Sequence, residues 1–164
     1  MGIGLTVAAE ITATAAQRDK EKALLAIGRQ FRTAIGSYYE AQAPGGVRQY
    51  PASLEDLLHD RRFPGVRRHL RKLFVDPLTG KAEWGELRIA GRIVGLYSLS
   101  ERVPMKQGGF EADDTSFHGK QKYSDWVFSY PSDLMVQTGA ENASGQAVSP
   151  GRPNFNVQID KKVW

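Results

Sequence analysis

The chain of 164 residues contains no cysteine. This absence excludes disulfide frameworks, thiolate zinc sites, iron–sulfur clusters and cysteine nucleophiles. Histidine is scarce too, since the chain has only His59, His69 and His118, none at a ligand spacing, and a zinc site is not expected. The chain also lacks a Gly-x-Ser-x-Gly motif and a glycine-rich phosphate loop. We therefore expect a protein that is not an enzyme, has no cofactor and takes no small-molecule substrate.

A long hydrophobic run is also missing. The apolar stretch at residues 1–9 is interrupted by Gly2, Gly4 and Thr6, and it ends at Glu10. It is far shorter than the about 20 apolar residues that a membrane-spanning helix needs. No basic residue precedes it, so it does not have the pattern of a signal peptide either.

Proline is absent between residues 5 and 42, and Gly28 and Gly36 are the only glycines there, so we predict one long helix. Its first half is rich in alanine, the best helix former, and residues 17–22 form a polar belt. The second half carries apolar residues at helical spacing, predicted to pack on a sheet: Leu24, Ile27, Phe31, Ile35 and Tyr38. A helix of about 38 residues is roughly 57 Å long, so its N-terminal half should project from so small a domain.

The rest of the chain predicts short helices and then strands. Ser53 with Asp56 three residues later predicts the start of a second helix, and Val66, Leu70 and Leu73 predict a further helical turn or two. Residues 83–89 and 92–99 predict a β-hairpin, residues 101–122 a long loop, and residues 122–130 a third strand. The fold class is therefore α+β, divided into a helix at 1–43, a head at 44–130 and an irregular tail at 131–164. Residues 155–159 could add an edge strand to this tail.

A basic segment lies between residues 61 and 72, where six basic residues and one histidine occur without an acid. Without those six charges the formal net charge of +4 would become −2. The segment is either a solvated face or a patch for an acidic subunit surface, anionic lipid or nucleic acid. A subunit contact is favoured over nucleic acid, because aromatic residues do not interleave. His59 and His69 are expected at the surface, and the six basic residues are Arg61, Arg62, Arg67, Arg68, Arg71 and Lys72.

An acidic cluster in the long loop, formed by Glu111, Asp113, Asp114 and Ser116, offers several oxygen atoms within a short stretch. Calcium prefers such ligands, but the spacing is not that of an EF-hand. A solvated loop is the favoured interpretation, with calcium as the alternative.

Four segments of the sequence resemble the type IV pilin and pseudopilin superfamily, in particular the pseudopilin-like proteins of type II secretion systems. They are residues 17–21 leading into the apolar helix, the Tyr-Pro-Ala-Ser-Leu-Glu-Asp-Leu-Leu stretch at 50–58, the Asp-Pro-Leu-Thr-Gly-Lys turn within 76–85, and residues 122–126. The resemblance implies a pilin-like fold in which a long N-terminal helix packs on a small antiparallel sheet.

The resemblance also implies a function. Such proteins are bacterial filament subunits, anchored in the inner membrane with a periplasmic head, and they assemble with other pilin-like subunits on an inner-membrane platform. Members begin with a basic leader, a cleavage-site Gly, a methylated Phe, a Glu at the fifth mature position and about 20 apolar residues. Glu10 does not match that glutamate, so we expect this chain to lack the membrane half and to be soluble as given. The alternative is a minor pilin that binds DNA or an anionic surface through residues 61–72.

Overall fold

The computed structural model describes residues 3–135, with side chains from residue 7 onward. The helices are α1 (Ile3–Glu40) and α2 (Leu54–Leu58), and the strands are β1 (Gly85–Ile89), β2 (Arg92–Tyr97) and β3 (Phe128–Ser129). The strands form one antiparallel sheet in the order β1-β2-β3. The predicted α+β class is confirmed, with a long N-terminal helix packed on a small antiparallel sheet. Residues 136–164, including the predicted edge strand at 155–159, lie outside the described residues.

Helix α1 is continuous for 38 residues. It passes through the polar belt without a break, because this segment has no proline and is rich in good helix formers. The chain then turns at Pro44 and Gly45, where Gly45 has a positive φ of 73°. A single rod therefore runs from the projecting N-terminal half into the head.

The core lies between α1 and the sheet. Leu24, Phe31, Ile35 and Tyr38 are buried on the sheet side of the helix, and Ile27 is partly buried against the same core. The sheet side contributes Ile93, Leu96 and Phe128, all with no exposed surface. Trp84 meets Phe31 edge to face at 4.9 Å between ring centroids, and Tyr39 stacks on Tyr50 at 4.4 Å.

Two local predictions are confirmed. Helix α2 begins after Ser53, and the Asp56 carboxylate accepts hydrogen bonds from the backbone N–H groups of Ala52 and Ser53. The hairpin between β1 and β2 turns at Ala90 and Gly91, which have positive φ values of 50° and 75°. Two successive positive φ values are typical of the tight turns that match the twist of a two-stranded ribbon.

The predicted helix at Val66, Leu70 and Leu73 is wrong. This segment is irregular, and the backbone N–H groups of His69 and Leu70 both donate to the carbonyl of Leu57. Leu70 is buried, whereas Val66 is 76% exposed, so the two residues do not share an apolar face. Contact with α2, which the local spacing could not show, determines the conformation here.

The predicted strand at residues 122–130 is mostly wrong. A 3₁₀ helix occupies Tyr123–Asp125, and β3 contains only two residues. The N–H groups of Tyr123 and Ser124 donate to carbonyls of Arg102 and Ser100, which draws the segment into a turn. Trp126 and Phe128 are nevertheless buried in the core, and Tyr130 is partly buried. The predicted loop at 101–122 contains a second 3₁₀ helix, Ala112–Phe117.

Gly28 sets how closely α1 approaches the sheet. A Cβ atom at this position would overlap the ring of Phe128. We expect Gly28→Ala to lower the free energy of unfolding by up to about 2 kcal/mol, because overpacking costs about 1–3 kcal/mol and the gain in helix propensity offsets about 1 kcal/mol of that cost. Chemical denaturation measures the difference.

Gly36→Ala is the matched control. Its Cβ would lie 2.7 Å from the ring of Tyr130, which is partly exposed and has room to turn outward. We expect Gly36→Ala to cause a smaller loss of stability than Gly28→Ala. An equal or larger loss at Gly36 would show that the approach of Phe128 is not the limiting contact.

Candidate functional site

The N-terminal part of α1 projects from the head, as its length predicted. Every residue from 7 to 16 is exposed, including Val7 at 50% and Ile11 at 65%. Glu10 is the only charged residue in this stretch, and most of the others are alanine or threonine. The projecting segment, residues 7–16, is thus a solvent-exposed helix with mostly small and apolar side chains. Its surface is suited to close packing against another helix.

The polar belt contains one buried residue among exposed ones. Arg18, Asp19, Lys20 and Lys22 are exposed, but Glu21 is only 5% exposed. Its carboxylate accepts hydrogen bonds from the backbone N–H groups of Met105 and Lys106 and from the hydroxyl of Tyr123. Glu21 therefore holds the loop after β2 against the helix. The sequence does not indicate that Glu21 is buried, because no local pattern distinguishes Glu21 from its charged neighbours.

The basic segment is anchored by one buried acid. Asp60 has no exposed surface, and its carboxylate accepts hydrogen bonds from Arg62 and His69. Arg62 also donates to the carbonyl of Tyr38 and lies over the ring of Tyr38, 3.6 Å from its centroid. Arg62 is thus turned toward the head. The other five basic residues of the predicted patch are exposed: Arg61, Arg67, Arg68, Arg71 and Lys72.

The prediction that His69 lies at the surface is wrong. Its side chain is 1% exposed, with Nε2 at 2.9 Å from Asp60 Oδ2 and Nδ1 at 2.8 Å from Ser37 Oγ. In the sequence, Asp60 lies nine residues before His69. This separation by itself does not indicate that the two side chains are in contact. His59, by contrast, is exposed as predicted.

The electrostatics of this cluster follow from Asp60. Burial by itself raises the pKa of the Asp60 carboxyl, but hydrogen bonds from Arg62 and His69 outweigh that effect and hold the pKa well below its usual range. Asp60 is therefore a carboxylate that only accepts hydrogen bonds. In neutral His69, Nε2–H donates to Asp60, and Nδ1 accepts the hydroxyl proton of Ser37.

This serine–histidine–aspartate order is the one that hydrolases use to activate a nucleophile. Ser37, however, lies inside α1, where its backbone N–H belongs to the helical hydrogen-bond ladder and is not directed at a developing oxyanion. Asp60 also divides its hydrogen bonds between His69 and Arg62. We interpret the cluster as a clamp that joins the end of α1, Asp60 two residues after α2, and the basic segment.

The acidic cluster of the long loop is engaged by arginines of α1. Asp114 has no exposed surface and binds Arg29 and Arg32 at 2.9 and 2.7 Å, and Glu111 also binds Arg29. Asp113 accepts a hydrogen bond from Ser132. Two of the three carboxylates that suggested calcium thus face cations of the same chain. Among residues 3–135, no group of three or more acidic or histidine side chains is placed to hold a metal ion.

Comparison of the chain with protein-family models, curated proteins and solved structures gives no match. The long helix on a small antiparallel sheet is compatible with a pilin-like fold. In the part of the chain that the structure describes, no helix is both long and apolar enough to cross a membrane.

Asp60 is the acid on which the clamp depends. Because removing it leaves the partly exposed Arg62 and the buried side chain of His69 without their acceptor, we expect Asp60→Ala to lower the free energy of unfolding by about 1–3 kcal/mol. Asp125→Ala removes an exposed acid and should change the free energy of unfolding by less than about 0.5 kcal/mol. Equal effects of the two substitutions in urea denaturation would contradict the assignment of the clamp to Asp60.

The depressed pKa of Asp60 also predicts a pH dependence. The unfolded chain binds a proton at Asp60 near pH 4, whereas the folded chain binds it only at lower pH, so this contribution to stability is complete above about pH 4 and is lost below it. Asp60→Asn should therefore flatten the fall in stability on acidification. Unfolding curves at several pH values would measure this difference in slope. Equal losses of stability on acidification in the wild-type protein and in Asp60→Asn would contradict the prediction.

Proposed function

We propose that this protein is a structural subunit of a pilin-like filament, and that its finer class is the pseudopilin of a type II secretion system. The observation that carries the proposal is the continuous helix α1, whose C-terminal half is buried in the head while residues 7–16 project uncovered. The resemblance of four sequence segments to that superfamily supports the same role. The subunit would act by assembly, without catalysis.

The projecting segment supplies a driving force for assembly. Burial of apolar surface stabilises an association by about 25 cal/mol per Å², so a few hundred Å² per neighbour contributes several kcal/mol before ordering costs are subtracted. Val7 and Ile11 expose such surface, and the alanines around them let another helix approach closely. Packing of this segment against the same segment of neighbouring subunits would therefore stabilise a filament.

The charges of the polar belt would set the register between neighbouring helices. Arg18, Asp19, Lys20 and Lys22 are exposed and adjoin the projecting segment, whereas Glu21 is used inside the head. A belt with both signs of charge favours one axial offset over others, because like charges that meet repel each other. The head would then select which subunits fit beside it.

In this role the head lies in the periplasm of a bacterium. In filament subunits of this kind, an apolar membrane half of the long helix stores the subunit in the inner membrane, where an assembly platform takes it up. Extraction from the membrane is offset by burial of the same apolar surface between helices of the filament.

The absence of cysteine makes cross-linking a clean test. In cells that express the complete reading frame, we expect Ala8→Cys and Ile11→Cys to give oxidised dimers, because these positions lie on the segment that packs between subunits. Ala82, which is exposed in the turn before β1, is the matched control position, and Ala82→Cys should give few oxidised dimers. Dimers from the helix positions should also disappear when the assembly platform is deleted.

Two outcomes would contradict the filament role. One is the absence of helix cross-links in cells where the protein is folded and the control cysteine reacts with a thiol reagent. The other is equal cross-linking at Ala82 and Ile11, which would indicate random collision.

The chain of 164 residues should behave as a monomer or weak dimer in light scattering, because the exposed side chains of residues 7–16 are mostly alanine and threonine and offer too little apolar surface for tight assembly. A stable, closed oligomer that buries residues 5–22 would argue against a filament. Hydrogen exchange along the projecting helix distinguishes the two states.

A further inference from the structure

The basic segment presents charges that its own chain does not neutralise. Among residues 3–135, none of the five exposed basic residues of this segment forms an ion pair with an acid. Asp60, which directly precedes the segment, is buried and engaged by Arg62 and His69. The exposed face of this segment therefore carries an uncompensated positive charge.

A shallow cleft lies between this segment and α1. It has a volume of about 310 Å³ and is lined by Arg29, Gln30, Thr33, His69, Leu70 and Arg71. In the part of the chain that the structure describes, no acid lines it, and Arg29 is already paired with Asp114 and Glu111. Arg71 is thus the cleft-lining arginine that has no ion-pair partner among these residues, and the hydroxyl of Thr33 and the amide of Gln30, which can both donate hydrogen bonds, line the same cleft.

The cleft is held in shape before any partner arrives. His69 is fixed by Asp60 and Ser37, and the backbone N–H groups of His69 and Leu70 both donate to the carbonyl of Leu57 at 2.8 and 2.9 Å. A partner therefore does not bear the cost of ordering this backbone. Four of the five exposed cations are arginines, whose planar fork matches a carboxylate in bidentate geometry.

The aromatic rings within and next to the basic segment have cations of that segment over their faces. The guanidinium of Arg67 lies 4.2 Å from the centroid of Phe63, and the ammonium of Lys72 lies 5.3 Å from that of Phe74. Proteins that bind single-stranded nucleic acid use free ring faces on which bases stack. Covered rings beside arginine forks favour a carboxylate-bearing partner over a nucleic acid.

We propose that this cleft and the exposed cations around it bind an acidic segment of a partner protein, with an Asp or Glu side chain of the partner seated beside Arg71. The partner is recognised by a local run of carboxylates, and the neighbouring cations Arg68 and Lys72 attract the rest of that run. This binding is independent of filament assembly, since it uses the head and not the projecting helix.

The test uses a fluorescent peptide of alternating glutamate and glycine, with anisotropy measured on the full chain at low and at near-physiological salt. We expect saturable binding that weakens with salt. The double substitution Arg68→Glu with Arg71→Glu should weaken it by about tenfold or more. Lys81→Glu with Lys120→Glu changes the net charge equally at exposed sites outside the segment, and should weaken it by less than about twofold.

Three results would overturn the proposal. These are no saturable binding of the peptide, an equal loss in the Lys81 and Lys120 control, or tighter binding of a DNA duplex that is lost on Arg67→Glu with Arg68→Glu. The last result would identify a nucleic acid surface instead. Arg68→Gln with Arg71→Gln serves as a milder second variant, and thermal unfolding checks that each variant is folded. Loss of helix cross-linking with peptide binding intact would remove the filament role alone.

Discussion

Close packing of α1 against the sheet is the contact on which the head depends. Gly28 lets the helix backbone approach the ring of Phe128, and Phe31 fills the space beside Trp84. Within residues 3–135 the sheet has three strands and its third has two residues, so these strands offer little hydrogen bonding of their own. A sheet so small gains most of its stability from the apolar surface that it buries against the helix.

Charged side chains of α1 position the loops that the sheet cannot hold. Glu21 binds the backbone after β2, and Arg32 binds Asp114 and the carbonyl of Ser129. Near its C-terminal end, Ser37 contacts His69 and the Tyr38 carbonyl accepts from Arg62. The helix therefore has an apolar stripe that forms the core and polar positions beside it that anchor loops. Burying these charges is tolerated because Arg32 is paired with Asp114 and the carboxylate of Glu21 accepts hydrogen bonds from neutral donors.

This arrangement separates the surface of the proposed filament contact from the surface of the proposed partner contact. The projecting helix is uniform, with small side chains and little charge, and is suited to contact many equivalent neighbours. The basic cleft lies on the head beside the second half of α1, and hydrogen bonds to Asp60 and Leu57 fix the residues that form it. Under the two proposals, self-assembly and partner binding would use different residues, so that a substitution at one surface would leave the other unchanged.

Local pattern was sufficient for the elements whose conformation depends on local forces. Helix α1, the start of α2 and the hairpin at Ala90 and Gly91 followed from propensity, a capping residue and turn chemistry. The same reasoning failed at Val66 and at the 122–130 segment, where hydrogen bonds from distant backbone groups determine the conformation.

The amino-acid order by itself determined that α1 is a continuous helix longer than the head, with an apolar stripe in its second half and a bare first half. Only the tertiary structure decided which charged residues are buried. Glu21 and His69 look like their solvated neighbours in the sequence, and each is buried because groups far along the chain, at Tyr123 and at Asp60, supply its hydrogen bonds. Periodicity follows from neighbours three or four residues apart, whereas satisfying a buried polar group requires partners that only the folded chain brings together.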